Sequence, residues 1–536
     1  MRPSLWKSLF PLFILIAFSA SIHPAEISTH GPADWILEKA EEAVNVEGVA
    51  PVRINPLQLP GVVQAIAPLE AMPPRNPREV DKTEVFRRPV PPVTYTPQHI
   101  FQQERVVAPG VTLLAPARLK SFRGLSQSRF FPADPTVAVG PSHVVVAVNS
   151  AVGIFTKRGK KLADVGFGEW FQSVTEVRGA AMFDPKLLYD QYSQHFILLV
   201  DALRNDDKRS WYLLSISKTS DPTGEWFSYA LDMKKNGNKQ SNNWADFPGL
   251  GVDETAIYMT GNMFSFASDN FVYAKLRIVK KAEVYSFGRV HFFDRWAMKD
   301  ATGQRAATIQ PAHSIGNASV EFLASLDDIS GHVLTLWSVP NPGAARPSLK
   351  KKAVTVSSFL VPPDAPQKGL AALINTGDAA VRNVVAANGS VYTSHCISQN
   401  WGSGEVSALR LYQISTTGDL QQEITFGADK LFYYYPAIAA DSRGNIVVVF
   451  NRSGASEFVG VHFTGRRISQ PAGQLQPSKA LKISGSSYFA QDNVNRNRWG
   501  DYNGIAIDGD DSLWIYSEFA TSSSNWSTQV GRVKYR

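Results

Sequence analysis

The sequence predicts an all-β fold made from one repeated unit, and three observations predict it. Short apolar alternations recur at intervals of roughly 50 to 70 residues, a period that suits a unit of four strands with generous loops. Each is followed by a turn-forming Gly, Asp or Asn and then by a second, strongly apolar run, which is the pattern of a β-hairpin. Helical periodicity is nearly absent from this region.

The repeat is anchored on a residue five positions before each turn. Pro135 precedes Gly140, Pro185 precedes Asp190, Pro248 precedes Asp253, Pro311 precedes Gly316 and Pro436 precedes Asp441. Asparagine replaces proline in two further copies, Asn383 before Asn388 and Asn503 before Asp508. The second strands read HVVVAV, HFILLV, TAIYMT, VEFLAS, SVYTSH, NIVVVF and SLWIYS, and third strands such as WYLLSIS and ALRLYQI follow in most units. Small residues in the first strand and larger ones in the second fit the taper of a blade against a crowded axis. The prediction is a β-propeller over residues 111–536, with seven blades, six being the alternative because the fourth and fifth units are the least regular. Val111 to Phe122 is expected to supply the outer strand that the last unit lacks, which closes the ring and removes open sheet edges.

Two segments precede the propeller. Arg2 and Lys7 precede an apolar run from Leu9 to Ala20, too short to span a bilayer comfortably, so residues 1–25 read as a signal peptide and the protein as secreted, periplasmic or cell-surface. No later run is apolar enough for a transmembrane helix in the mature chain. Residues 26–110 are dense in proline and read as a largely irregular leader, with one amphipathic helix expected over Pro32 to Ala43.

Composition excludes several classes. The net charge of +7 is dispersed, so nucleic acid is not an expected partner. Cys396 is the sole cysteine, which forbids an intramolecular disulfide, and as a strand neighbour of His395 it points to the opposite face and reads as a buried thiol. The sequence has no HExxH, no P-loop, no dinucleotide fingerprint and no GxSxG elbow. No cofactor is predicted. Carboxylates at the axis, or the turn Gly509 to Asp511, offer calcium a place, although that turn lacks the length and closing glutamate of an EF-hand loop.

The motifs DPTVAVGPSHVV, LYDQYSQHFIL, SKTSDPTGEW and RWGDYNGIAID resemble a group of secreted bacterial propeller proteins that share DPTVAVG-like and RWGDY-like signatures, over Ala133 to Val533. That resemblance implies a propeller and export and carries no chemistry. A looser one is to sialidase-like propellers, whose Asp-box is matched by Thr219, Asp221 and Trp226 with Gly224 one residue late. An Asp-box pins a turn and does not locate a catalytic site, and the sialidase arginine triad has no counterpart by motif.

In a propeller the loops entering the first strands and those joining second to third strands gather on one face. The entering positions are Asp134, Asp184, Asp246, Gln310, Arg382, Tyr435, Asp501 and Tyr502; the other loops add Arg204, Asp206, Asp207, Asn262, His395, Trp401, Arg452, Glu518 and Trp526. Ligand binding is expected from Asp134, Asp184, Asp246, Arg382, Arg452, Arg498, Trp499, Tyr502, Trp401 and Trp526, the last two as exposed rings. Arg498, Trp499 and Asp501 stand out because their cluster is not copied in other units. The reading is an exported, monomeric binder of a glycan or of an envelope or extracellular protein. The alternative is a glycan-active hydrolase or lyase, in which Asp501 and Glu518 act as paired carboxyls and Tyr435 as a sialidase-like nucleophile.

Overall fold

The computed structural model describes residues 34–61, 70–71, 82, 94–104, 115–126 and 130–535. The signal-peptide segment lies outside them. Among the described residues the chain is a succession of antiparallel four-stranded meanders, and seven can be traced. Their first strands are Thr136–Val139, Ala181–Asp190, Asn243–Val252, Gln310–Ser314, Val384–Ala387, Phe432–Ala440 and Gly504–Ile507. Each lies beside the first strand of the next meander, and the seventh lies beside the first. The arrangement is a β-propeller.

The turns form where the sequence places them. Asp190, Asp253 and Asp441 each turn the chain by accepting backbone N–H groups two to four residues on: Tyr192 and Ser193, Thr255 and Ala256, and Arg443 and Asn445. In the Asp-box-like turn, Asp221 accepts from Thr223 and the Trp226 indole donates to the Pro222 carbonyl, so this motif is a pinned hairpin. The two copies that carry asparagine have their own reason. Asn383 receives the Ile438 N–H and donates to the Ile438 carbonyl, and Asn503 donates to the Tyr435 carbonyl, so each ties its first strand to a neighbouring one.

Second strands such as His195–Arg204 and Ile446–Gly454 are buried on both faces, because each sheet is covered by its neighbours. That explains their near-continuous apolar runs in place of strict alternation. Several charges inside these layers are paired. Arg277 holds Asp294 with neither side chain exposed, and Arg410 holds Glu423, which also accepts from Ser357 of the adjoining sheet.

The ring is closed by Ala117–Ser126, the outer strand of the seventh meander, antiparallel to Trp526–Lys534. Val111 to Leu114 of the expected strand lie outside the described residues, and the described strand follows Pro116, which cannot donate to the sheet. The expected helix over Pro32 to Ala43 does not form in its described part. Ile36–Leu37 and Glu41–Val44 are strands that extend the outer edges of the fourth and third meanders. Val52–Ile54 does the same for the second and, in parallel, His99–Gln103 for the fifth. An open sheet edge offers a ladder of backbone partners that outweighs weak local helical preference. From the same leader Lys82 forms an ion pair of 2.6 Å with Asp364.

Candidate functional site

The first strands enter the ring through a repeated backbone distortion. Asp134, Asp184, Phe247 and Tyr435, each directly before proline, have φ of 46°, 51°, 53° and 51°. In the second, third and sixth meanders the residue lies inside a β-bulge. A bulge re-aims side chains, and a non-glycine residue in this region stores about 1–3 kcal/mol of strain. Here it turns acidic and aromatic groups of separate meanders toward one end of the axis.

Three linked groups result. In the first, Asp134 accepts from the Asn149 side chain at 2.7 Å and from the Asp501 backbone N–H at 2.7 Å, while Arg498 holds the Asp501 carboxylate at 2.5 Å. Asn149 in turn accepts the Asp184 N–H, which ties the first meander to the second. Burial, followed by the charges of Asp501 and Asp184, pushes the Asp134 carboxyl well above its usual range. Burial works against the Arg498 charge, yet Asp501, Tyr435 and Asp134 hold it above the ordinary guanidinium value.

The second group is Asp184, Asp201 and Asp246, all buried, with one oxygen from each within 4.8 Å of the others. The third is Lys186, whose ammonium lies 3.1 Å from the centre of the Tyr502 ring and 5.3 Å from that of Phe247. Burial lowers the Lys186 pKa to about 8 against the opposing pull of Asp184 and Asp134. Arg382 lies 5.5 Å from the Phe247 ring and is paired with Asp378 at 2.6 Å. Behind these groups runs an axial cavity of about 80 Å³, lined by residues of every first strand and large enough only for a few waters.

Glu518 is buried beside the first group. A β-carbon on Gly500 would sit 3.0 Å from Glu518 Oε1 and 3.8 Å from Asp134 Oδ1, so those oxygens are at most about 7 Å apart. Burial, then the Asp134 charge, raises the Glu518 carboxyl. Tyr435 is also buried, and its hydroxyl donates to the Asn375 carbonyl at 2.8 Å. The Tyr502 hydroxyl donates to the Pro185 carbonyl at 2.9 Å.

The other expected positions make different contacts. Arg452 is held by Glu457 at 2.9 Å and lies 3.4 Å from Glu104. Arg204 pairs with Asp207 on an exposed loop beside Asp206, Asn262 bonds Thr308, and Gln310 is buried. His395 is enclosed between the Ala379 carbonyl and the Tyr412 hydroxyl, and burial drives its pKa down to about 3. Cys396 is buried and its thiol is pushed up to about 12.

The two rings expected to be exposed are not. Trp526 is buried with its indole N–H on the Phe130 carbonyl, and Trp401 is half-buried, 5.9 Å from Phe101 of the leader strand. Trp499 is fully buried edge-on to Tyr488. The carboxylates of the Asp508 to Asp511 turn have cationic partners: Asp508 pairs with Lys157 and Asp510 with Arg532. Asn149, Lys186 and Asp201 are members of the cluster that sequence reasoning missed. Asp201 had a signal, since it is an acid inside the apolar strand HFILLVDALR.

Comparison with solved structures finds slight likeness at low identity. Trypanosoma rangeli sialidase is 10% identical with a TM-score of 0.36, covering 79% of this chain and 60% of that one. The same sialidase in complex with 2,3-difluorosialic acid, described as a covalent intermediate, gives 11% and 0.35, and this chain spans 57% of its length. A thermostable family-43 glycoside hydrolase gives 12% and 0.27, covering 68% of this chain and 93% of that one. No family model and no curated protein matches the sequence.

Proposed function

We propose that this chain is an exported, seven-bladed propeller that binds a hydroxyl-rich glycan at the axial end where its first strands enter. One observation carries the reading. Acids and cations from separate meanders, Asp134, Asp184, Asp246, Lys186, Arg382, Arg498 and Asp501, converge there, with Arg498 bonded to Asp501, Asp501 to Asp134 and Arg382 to Asp378. Hairpins and packing do not require unlike charges to gather at one end of an axis. A rigid set of donors and acceptors around a narrow channel suits a ligand that rests on the mouth and offers hydroxyls to both kinds of group.

A glycan array probed with the wild type and with Asp501→Asn tests this. Retained glycans for the wild type and at least tenfold weaker retention for the variant, both probed well below their melting temperatures, are expected. An array with no retained glycan, or capture of an envelope protein in its place, removes the glycan reading.

A second reading has its own observation. Asp134 and Glu518 bring carboxyl oxygens to within about 7 Å, inside the range over which paired carboxyls act on glycosidic bonds. Burial pushes the Glu518 carboxyl toward the protonated form that a general acid needs. Turnover of chromogenic glycosides that Glu518→Gln abolishes would establish it, and a panel with no turnover would discard it.

A further inference from the structure

We propose that Asp184, Asp201 and Asp246 form a binding site for a hard divalent cation, calcium by its chemistry. Asp184 and Asp246 stand at the bulges of consecutive first strands, and Asp201 lies on the second strand opposite Phe183, the residue before Asp184. One oxygen from each lies within 4.8 Å of the others. Two oxygens bound to one calcium at about 2.4 Å can be no more than about 4.8 Å apart, so the spread of the three fits a common ion. The donor set is oxygen alone, which suits calcium and not a zinc site of nitrogen and sulfur.

A second observation points to a ligand independently of the cluster. Asp201 is 1% exposed, and among the described residues neither of its carboxylate oxygens has a hydrogen-bond partner. A buried carboxylate is ordinarily satisfied by several donors. Asp201 instead faces two further acids, and burial together with the charges of Asp184 and Asp246 works against its ionised form. Lys186 rests over the Tyr502 ring, 3.1 Å from its centre. A divalent ion supplies the missing partner for both oxygens and offsets the repulsion among all three groups. The same ion would join the second and third meanders at the end where the bulges converge. This inference stands apart from the glycan reading, because the ion can bind with no sugar present.

The test uses the full chain stripped with EDTA and desalted, titrated with calcium chloride alone by calorimetry and followed by thermal melting. One calcium per chain and a melting temperature several degrees higher in 1 mM calcium than in EDTA are expected. Asp201→Asn is expected to weaken calcium binding at least tenfold. In EDTA the same variant should melt at or above the wild type, because it removes a repelling charge, and that sign separates a lost ligand from a damaged fold. Absence of both heat and stabilisation, equal calcium affinity in Asp201→Asn, or a response to magnesium without one to calcium would each overturn the proposal.

Discussion

Replacing Arg498 by methionine measures how much of the axial cluster is held by one buried ion pair. The Arg498 side chain is 4% exposed and that of Asp501 17%, so the pair is largely removed from water. Methionine keeps much of the volume and leaves the Asp501 carboxylate beside the already acidic Asp134. Breaking a buried pair by removing one member destabilises by about 3–5 kcal/mol, and the partial exposure of Asp501 argues for the lower end. Unfolding entropy of about 2.1 cal/mol/K per residue, over the roughly 400 residues of the ring, gives about 0.8 kcal/mol per degree. The expected fall in melting temperature is therefore about 3–4 °C, readable by calorimetry. A double-mutant cycle with Asp501→Asn should show a coupling of about 2 kcal/mol, so that the double variant is more stable than the sum of single losses implies. A coupling below about 0.5 kcal/mol would refute the argument that this pair fixes the strand entry.

Three other outcomes follow from the geometry. Glu321 is buried and accepts from the Ala312 N–H and the Ser314 hydroxyl, and burial followed by the Asp253 charge raises its pKa well above 4.5. The folded protein thus keeps a proton that the unfolded chain has lost, and stability declines as pH rises above about 4.5; Glu321→Gln should raise the melting temperature at pH 8 and leave it unchanged at pH 4, and equal shifts at both would contradict this. A β-carbon on Gly261 would lie 1.9 Å from the Tyr212 hydroxyl, so Gly261→Ala should displace that ring from the Thr260 carbonyl and destabilise by about 1–3 kcal/mol in urea melts. Deleting residues 1–61 strips the added strands from the second, third and fourth meanders, and light scattering should then show self-association that the full chain lacks.

The repeat was legible because its signals are local. An Asp that accepts N–H groups two to four residues on, followed by an apolar run, declares a hairpin wherever it occurs, as at Asp190 and Asp441. The leader strands were not legible, since a strand added at an edge is held by backbone bonds and asks little of its side chains. Ile36, Leu37 and Glu41 satisfy a helical pattern as well as a strand, and the neighbouring edge decided. Entry positions such as Asp134, Asp184 and Asp246 could be named from spacing alone. The association of Asp184 and Asp246 with Asp201 could not, because the contact depends on bulges whose left-handed residues precede proline. Trp526 misled for a related reason: polar neighbours in sequence suggested exposure, while its indole closes over the Phe130 carbonyl.

The strand Ala117–Ser126 and its partner Trp526–Lys534 are made far apart in time. A ribosome releases the first of them roughly 400 residues before the second, and bringing such distant ends together carries an entropic term of about 5 kcal/mol, (3/2)RT ln n, before any contact rewards it. Every other meander can assemble from neighbouring segments as it emerges, whereas the seventh must wait for the final residues. A transcript that ends a few codons early therefore loses more than a terminal strand, because the first and last meanders are left without the seam that joins them.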